Sequence, residues 1–418
     1  MVAHEIKTRT IAVFTGTRAD FGLLRPLVEA IHNDPDLALQ LIVSGSHFSA
    51  EQGNTLEEIE KEGWVIDARV PLNVPSDDGV GMASAAGQGV ARFAVVLENL
   101  RPHVVVILGD RYEALAMAYA CTLMNVPIAH INGGELTLGA IDDAIRHAIT
   151  KLSCLHFVAT ESYRTRVIQM GELPDHVFCV GEIGLDDLPN INYHNRDKLS
   201  AELGIAWNTH NYLITVHAET KSDHPVEALI NPILDALSSL EDTTLIFTMA
   251  NVDTGGQAIN QRLDDYCNQG QNRYLFASLG RQRYLSVLRE CDAVIGNSSS
   301  GIVEAPSFHV PTVNVGTRQA GRIRSESVID TVANHDAVIV AIGQANAFKL
   351  SGARVDNPYD GGGTSATKTI EILKQIDVST IRIKPFFDIP TTPFHPFPVL
   401  PFGGEPLQPA PFFHTYFT

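Results

Sequence analysis

The sequence predicts an α/β protein made of two doubly wound, parallel-sheet domains facing a central cleft. Three observations carry that prediction. From Ile11 onward, short apolar runs alternate with helix-like stretches. The alternation pauses over a polar, Asn- and Asp-rich stretch at 186–207, and a second similar series then starts at Tyr212. Continuous apolar strands alternating with helices indicate a parallel sheet covered on both faces.

The elements follow in order. Ile11–Phe14 reads as a strand, Gly22–His32 as an amphipathic helix and Leu37–Val43 as the next strand. Val104–Leu108, Pro127–Ile131 and Leu155–Ala159 are further strands, separated by the helical patterns Glu113–Met124 and Asp142–Lys151. The run Ser76-Asp77-Asp78 with Gly79 and Gly81 reads as a loop. In the linker stretch the segment LSAELG is helical. Strands resume at Tyr212–Val216, Leu245–Met249, Tyr274–Phe276, Ala293–Ile295 and Thr312–Val315. Residues 390–418 hold 8 of the 22 prolines and 6 of the 18 phenylalanines, without Lys or Arg. Such a stretch extends neither a helix nor a central strand, and an irregular extension is expected.

Composition narrows the function. The 418 residues carry 30 Lys+Arg against 48 Asp+Glu, a formal net charge of −18. That balance argues against a nucleic-acid partner, which needs clustered basic residues, and against docking on an anionic membrane. A small anionic ligand stays compatible, because a few placed arginines suffice. No apolar run approaches the roughly 20 residues of a membrane span, and the N-terminus lacks a signal-like apolar region. The five cysteines, Cys121, Cys154, Cys179, Cys267 and Cys291, form no CxxC pair. Reduced thiols, a cytoplasmic location and no metal site are expected.

Ligands of open α/β sheets bind beyond the carboxyl ends of the strands. The first strand is followed there by Thr15-Gly16-Thr17-Arg18-Ala19-Asp20-Phe21-Gly22, which is not a GxGxxG turn. Others lead to Gly109-Asp110-Arg111, Asn132-Gly133-Gly134-Glu135, His217-Ala218-Glu219, Asn251-Val252-Asp253, Gly296-Asn297-Ser298-Ser299-Ser300-Gly301 and Thr317-Arg318. Seven strand ends with chemically able residues would line one cleft.

Each piece admits two readings. The Ser-rich run is a turn with an N-cap, or a phosphate cradle at the positive end of a helix. Glu304 near that helix start stabilises the dipole, or accepts a ribose diol. Asp110 and Arg111 are a strand-end ion pair, or an anion site with a proton-transfer group. Glu135 and Asp142, seven residues apart, are solvated loop acids, or face one cleft with Asp110, where mutual repulsion raises at least one pKa. His217 is a satisfied core histidine or a phosphate donor; His47 and His130 pose weaker versions of the question. Arg18 and Arg318 are surface ion pairs or phosphate clamps.

Taken together, TGTRADFG, LGDRYE, HINGGELTLGAIDDAIRHAITKLS, RVIQMGE, GNSSSGIVEAPS and GTRQAGR resemble the hydrolysing UDP-N-acetylglucosamine 2-epimerases. The likeness is to the bacterial sialic-acid-biosynthesis type and to the epimerase domain of the bifunctional mammalian enzyme, from about Ile11 to Asp388. It implies a GT-B fold: a Rossmann-like domain over 1–190, a UDP-binding Rossmann-like domain over 191–365, a returning segment over 366–389 and a tail over 390–418. The resemblance implies no cofactor, a UDP-sugar ligand and a homodimer or homotetramer.

Carried onto this chain, Ser298 and Ser299 would hold the diphosphate and Glu304 the ribose. Arg18, Asp20, Arg111, His217 and Arg318 would surround phosphates or sugar, Asn251 would lie near the nucleotide, and the backbone at Leu279 would meet the uracil. Asp110, Glu135 and Asp142, with His217, form the implied catalytic set. The implied chemistry eliminates UDP across C1 and C2 and then adds water, turning UDP-N-acetylglucosamine into N-acetylmannosamine and UDP. A sister substrate, UDP-2,4-diacetamido-2,4,6-trideoxyglucose, is the alternative. A non-hydrolysing epimerase, a GT-B glycosyltransferase and a non-catalytic UDP-sugar-binding regulator are weaker readings. The chain departs at one place: some relatives read HIEGGE where it has Asn132, which is neither acid nor base.

Overall fold

The computed structural model describes residues 8–48, 55–76, 78–250 and 254–389. Its first lobe is a seven-stranded sheet of β1 (Arg9–Thr15), β2 (Leu37–Ser44), β3 (Ala68–Val70), β4 (Val104–Leu108), β5 (Ile128–Ile131), β6 (Leu155–Val158) and β7 (Val177–Cys179). The spatial order is β3-β2-β1-β4-β5-β6-β7. The second lobe has six strands, β8 (His210–Thr215), β9 (Thr243–Thr248), β10 (Arg273–Phe276), β11 (Ala293–Gly296), β12 (Thr312–Val315) and β13 (Val328–Thr331). They run in the order β10-β9-β8-β11-β12-β13. Every pairing in both sheets is parallel. Two sheets flanked by helices across a cleft make the GT-B-like α/β fold.

Continuous burial explains the central strands. All five residues of β4 are buried, and Ile11 to Phe14 of β1 lie between helices on both faces. The strands that pattern reading overlooks are β3, β7 and β13. Each is three or four residues long with partly exposed positions, so no apolar run announces it.

The segment read as a loop at Gly79 and Gly81 is a correction. Helix Gly79–Leu100 begins there, capped by Asp78, whose Oδ1 accepts the Gly81 N–H at 2.8 Å and the Ser76 hydroxyl at 2.6 Å. A Cβ on Gly81 would collide with the Ser76 carbonyl, so the glycine serves the cap instead of breaking the helix. Asp77 lies outside the described residues. The same helix overturns the expectation about apolar length, being long and apolar enough to cross a membrane by length and composition alone. Here Phe93 and Leu97 enter the core, with Phe93 edge-on to Phe14 at 5.3 Å.

The chain crosses between the lobes twice, side by side. The outgoing passage follows β7, and the return comes near residue 360. The Glu182 N–H donates to the Tyr359 carbonyl at 2.8 Å, and the Ala366 N–H to Asp186 at 2.7 Å. Gly181 is in the left-handed region, φ 93°, and a side chain there would strike Gly361. Helix Ser365–Gln375 then packs on the first lobe through Ala366 and Leu373. Further on, Lys384 pairs with buried Glu172 at 2.7 Å, beside Lys151 at 2.6 Å and His156 at 2.9 Å. Burial alone would raise the Glu172 pKa; hydrogen bonds from His156, Lys151 and Lys384 outweigh it and hold it near about 2.

Candidate active site

One cavity opens between the lobes at the carboxyl ends of the strands. The second lobe supplies its polar, cation-bearing wall. His217 follows β8, and its backbone is clamped by Asn297, whose Oδ1 accepts the His217 N–H at 2.7 Å and whose Nδ2 donates to the His217 carbonyl at 2.9 Å. Ser298, Ser299 and Ser300 follow β11 on the same wall. Arg318 donates to the Asn297 carbonyl at 3.2 Å, and its own N–H donates to Glu219 at 3.0 Å. Glu304 accepts from Arg281 at 3.2 Å, and Arg281 also pairs with Asp187 at 2.6 Å. Arg18 reaches across from the first lobe and donates to the Ser278 hydroxyl.

The first lobe supplies the acids. Glu135, 1% exposed, pairs with Arg322 of the second lobe at 2.5 Å. Asn132, at φ 63°, donates through Nδ2 to Glu182 at 2.8 Å. Burial and then the neighbouring Glu135 charge raise the Glu182 pKa to about 7, against the Gly184 N–H, Asn132 and Arg322. Asp110 pairs with fully buried Arg146. Burial raises the Asp110 pKa, but Arg146, Arg322 and Arg318 overcome it, leaving the carboxyl below its ordinary range. Arg146 also donates to the Glu135 carbonyl at 3.0 Å and the Thr137 hydroxyl at 3.1 Å.

Of the residues singled out in the sequence, Arg18, Glu135, His217, Ser298, Ser299, Glu304 and Arg318 line this cavity. Asp110, with its side chain 23% exposed, is not among the lining residues but feels the charges of Arg146, Arg322 and Arg318. Arg111 pairs with Glu113 at 3.3 Å and Asp20 accepts the Gly16 N–H at 3.3 Å, both in a layer behind the wall. Burial raises the Asp20 pKa to about 7; Arg111 opposes this and Glu113 adds to it. Asp142 opens helix Asp142–Leu152 and is not among the residues that line the cavity. The Leu279 side chain is buried and its carbonyl accepts from Arg283 at 2.8 Å, while Gly280 beside it lines the cavity. Asn251 lies outside the described residues.

Two local readings change. The helix after the serines is one turn, Ser300–Val303, and Glu304 stands at its end and just before the 3₁₀ turn Ala305–Phe308, where its carboxylate makes no cap hydrogen bond and pairs with Arg281 instead. His130 is a satisfied core histidine, bonded to the Gly109 carbonyl at 2.7 Å and Thr150 at 3.1 Å. His47 is buried between Thr15 and Thr55 yet reaches the cavity, and burial lowers its pKa to about 3, so it is neutral. Among the described residues no group of three or more His, Cys, Asp or Glu could hold a metal ion.

Sequence reasoning missed Arg146, Glu182, Arg281 and Arg322. Arg146 and Arg322 lie inside motifs already noticed, HINGGELTLGAIDDAIRHAITKLS and GTRQAGR, as basics with no partner evident from the sequence. Glu182 follows β7, so the strand-end rule reaches it only once that strand is recognised.

The UDP-N-acetylglucosamine 2-epimerase family matches residues 29–374, most of both lobes. The chain belongs to that family. It is an enzyme of the hydrolysing UDP-sugar 2-epimerase class. A GDP/UDP-N,N'-diacetylbacillosamine 2-epimerase (hydrolyzing) of Campylobacter jejuni is 41% identical, over 91% of this chain and 99% of that one. A UDP-N,N'-diacetylbacillosamine 2-epimerase (hydrolyzing) of Legionella pneumophila is 35% identical, over 88% and 96%. In fold, this epimerase is similar to the crystal structure of UDP-GlcNAc 2-epimerase from Neisseria meningitidis bound to UDP-GlcNAc. The TM-score is 0.72 at 16% identity, covering 87% of this chain and 99% of that one.

Proposed function

We propose that the protein hydrolyses and epimerises UDP-N,N'-diacetylbacillosamine, a UDP-linked 2,4-diacetamido-2,4,6-trideoxy sugar. The products are UDP and the free sugar inverted at C2, a precursor for nonulosonic-acid-type sugars. The observation carrying this reading is full-length identity of 41% and 35% to two hydrolysing enzymes named for that substrate. It replaces UDP-N-acetylglucosamine, the substrate expected from the motifs, because the two sugars differ at C4 and C6. Elimination across C1 and C2 leaves those positions untouched, so motifs tuned to elimination do not report on them.

The chemistry follows from the two walls. Ser298, Ser299, His217, Arg18 and Arg318 are placed to receive a diphosphate, and their donors and charges stabilise UDP as it leaves with the C1–O electron pair. A carboxylate takes the C2 proton. Glu135, paired with Arg322, faces the cavity, while Asp110 is held ionised by Arg146. Water then adds at C1 and a proton returns to C2 from the other face. A cytoplasmic location and self-association belong to the same proposal, the latter checked by light scattering.

Incubation in deuterated water, followed by NMR, tests it. Free UDP plus C2-deuterated free sugar should arise from the diacetamido substrate, with kcat/KM about 100-fold above that for UDP-N-acetylglucosamine. A preference for UDP-N-acetylglucosamine overturns the substrate, and a UDP-linked epimer without free UDP overturns the hydrolytic outcome.

A further inference from the structure

Glu182 has no counterpart among the groups implied by the motifs, yet it occupies the floor of the cleft. It lines the cavity with Asn132 and Glu135 and is 1% exposed. Both of its oxygens are engaged: Oε2 by Asn132 Nδ2 at 2.8 Å and Oε1 by the Gly184 N–H at 3.2 Å. Its backbone is fixed at the inter-lobe crossing through Tyr359. Next to it are two buried acceptors without a hydrogen-bond donor, Asn132 Oδ1 and Glu135 Oε1. Unsatisfied acceptors in a closed polar floor await a donor, from a ligand or from a proton carried by one of the acids.

We propose that Glu182 is a further catalytic residue for the epimerase reaction, the second member of a carboxyl pair with Glu135. The inference rests on the proposed function and names a residue within it. Two carboxyls that share one buried cavity floor do not both ionise freely. Arg322 pairs with Glu135 at 2.5 Å, whereas Glu182 faces the amide of Asn132 and the Gly184 N–H, and burial pushes its pKa up, so Glu182 is the member that keeps the proton. When Glu135 takes the C2 proton, the C–H electron pair becomes the C1=C2 bond and the C1–O pair leaves with UDP. Glu135 is then neutral and passes its proton out with UDP. In the second stage the Glu182 proton bonds C2 with the C1=C2 electron pair, while water bonds C1 and gives its surplus proton to the Glu182 carboxylate, so the pair again holds one. Asn132 keeps the two acids in register by bonding Glu182 while leaving its oxygen toward the cavity.

The test compares the full-length protein with Glu182→Gln and with the double variant Asn132→Asp/Glu182→Gln, which exchanges amide and carboxyl at nearly constant volume. Glu182→Gln should lower kcat by about 100-fold with KM unchanged. The limb of the kcat profile that falls as pH rises through about 7 should vanish. The double variant should recover to within about tenfold of the native kcat, a general-acid–base contribution being at least that large. Infrared difference spectra should show a protonated-carboxyl band titrating near pH 7 in the native protein and missing in Glu182→Gln.

An unchanged kcat and pH profile in Glu182→Gln overturns the proposal. So does a loss of kcat that tracks lost UDP binding or thermal stability without rescue in the double variant. If the native protein releases no UDP from any UDP-sugar, the proposed function fails. The infrared band then stands apart, and its absence removes the pair itself.

Discussion

In the first lobe, the acids at the cleft are each bound to a basic or amide partner: Asp110 to Arg146, Glu135 to Arg322 and Glu182 to Asn132. In the second lobe, the cleft presents hydroxyls, His217 and Arg318 held by carbonyls and by the single clamp of Asn297. The topology of the two sheets is alike, but one wall carries interlocked acids and the other hydroxyls and cationic side chains. Proton chemistry needs carboxyls whose affinities are forced apart, which requires close, buried, interlocked partners. On the proposed function the other wall needs donors that stay available, and the Asn297 clamp fixes the His217 backbone while His217 itself lines the cavity.

Substitutions can separate the two walls. The largest effect should come from Glu135→Gln. Turnover should fall by about 10³-fold while UDP affinity by calorimetry is unchanged; a matching loss of UDP affinity would erase the division between walls. A second change asks whether the first lobe's stability depends on its charges. Glu172→Gln should destabilise the fold by about 3 kcal/mol in denaturant titration, because Lys151 and Lys384 lose a buried counter-charge. The Glu172 pKa is depressed in the folded state, so its contribution is present above the unfolded value and is lost as pH falls from about 4.3 toward about 2. The variant should therefore show a shallower acid destabilisation than the native chain.

Smaller effects sharpen the contrast from the other side. Ser298→Ala should weaken UDP about tenfold and spare the acid–base pH profile; a changed profile would mean that the second wall also moves protons. Asp78→Ala, at the cap of helix Gly79–Leu100, should cost about 1 kcal/mol in thermal melts and leave UDP binding and turnover as they are. A larger loss there would mean that the helix carries more of the lobe than its cap suggests.

The same contrast explains what could be read in the sequence. The strands that carry both lobes are buried on two faces, so their apolar runs are legible without any partner. Short edge strands such as β7 depend on a neighbour for burial, and their period is invisible. The donor wall was readable because its residues directly follow the ends of β8, β11 and β12, where strand-end logic finds them. The proton wall joins residues far apart in sequence. Arg322 meets Glu135, and Asn132 meets Glu182, across separations that only the fold closes. Counter-ions of this kind are set by packing in space, so Arg146 and Arg322 look like ordinary surface basics in the sequence.

The paired inter-lobe crossings at Glu182–Tyr359 and Gly181–Gly361 act as the spine of a book. Two adjacent chain passages stitch the covers together along one line, and Glu182 sits on that line. Glu135 and Arg322 stand on opposite covers, so their ion pair is a clasp between the lobes. A single contact thus belongs both to the lining of the cavity and to the seam that joins the two halves, and a substitution at either end reads on both.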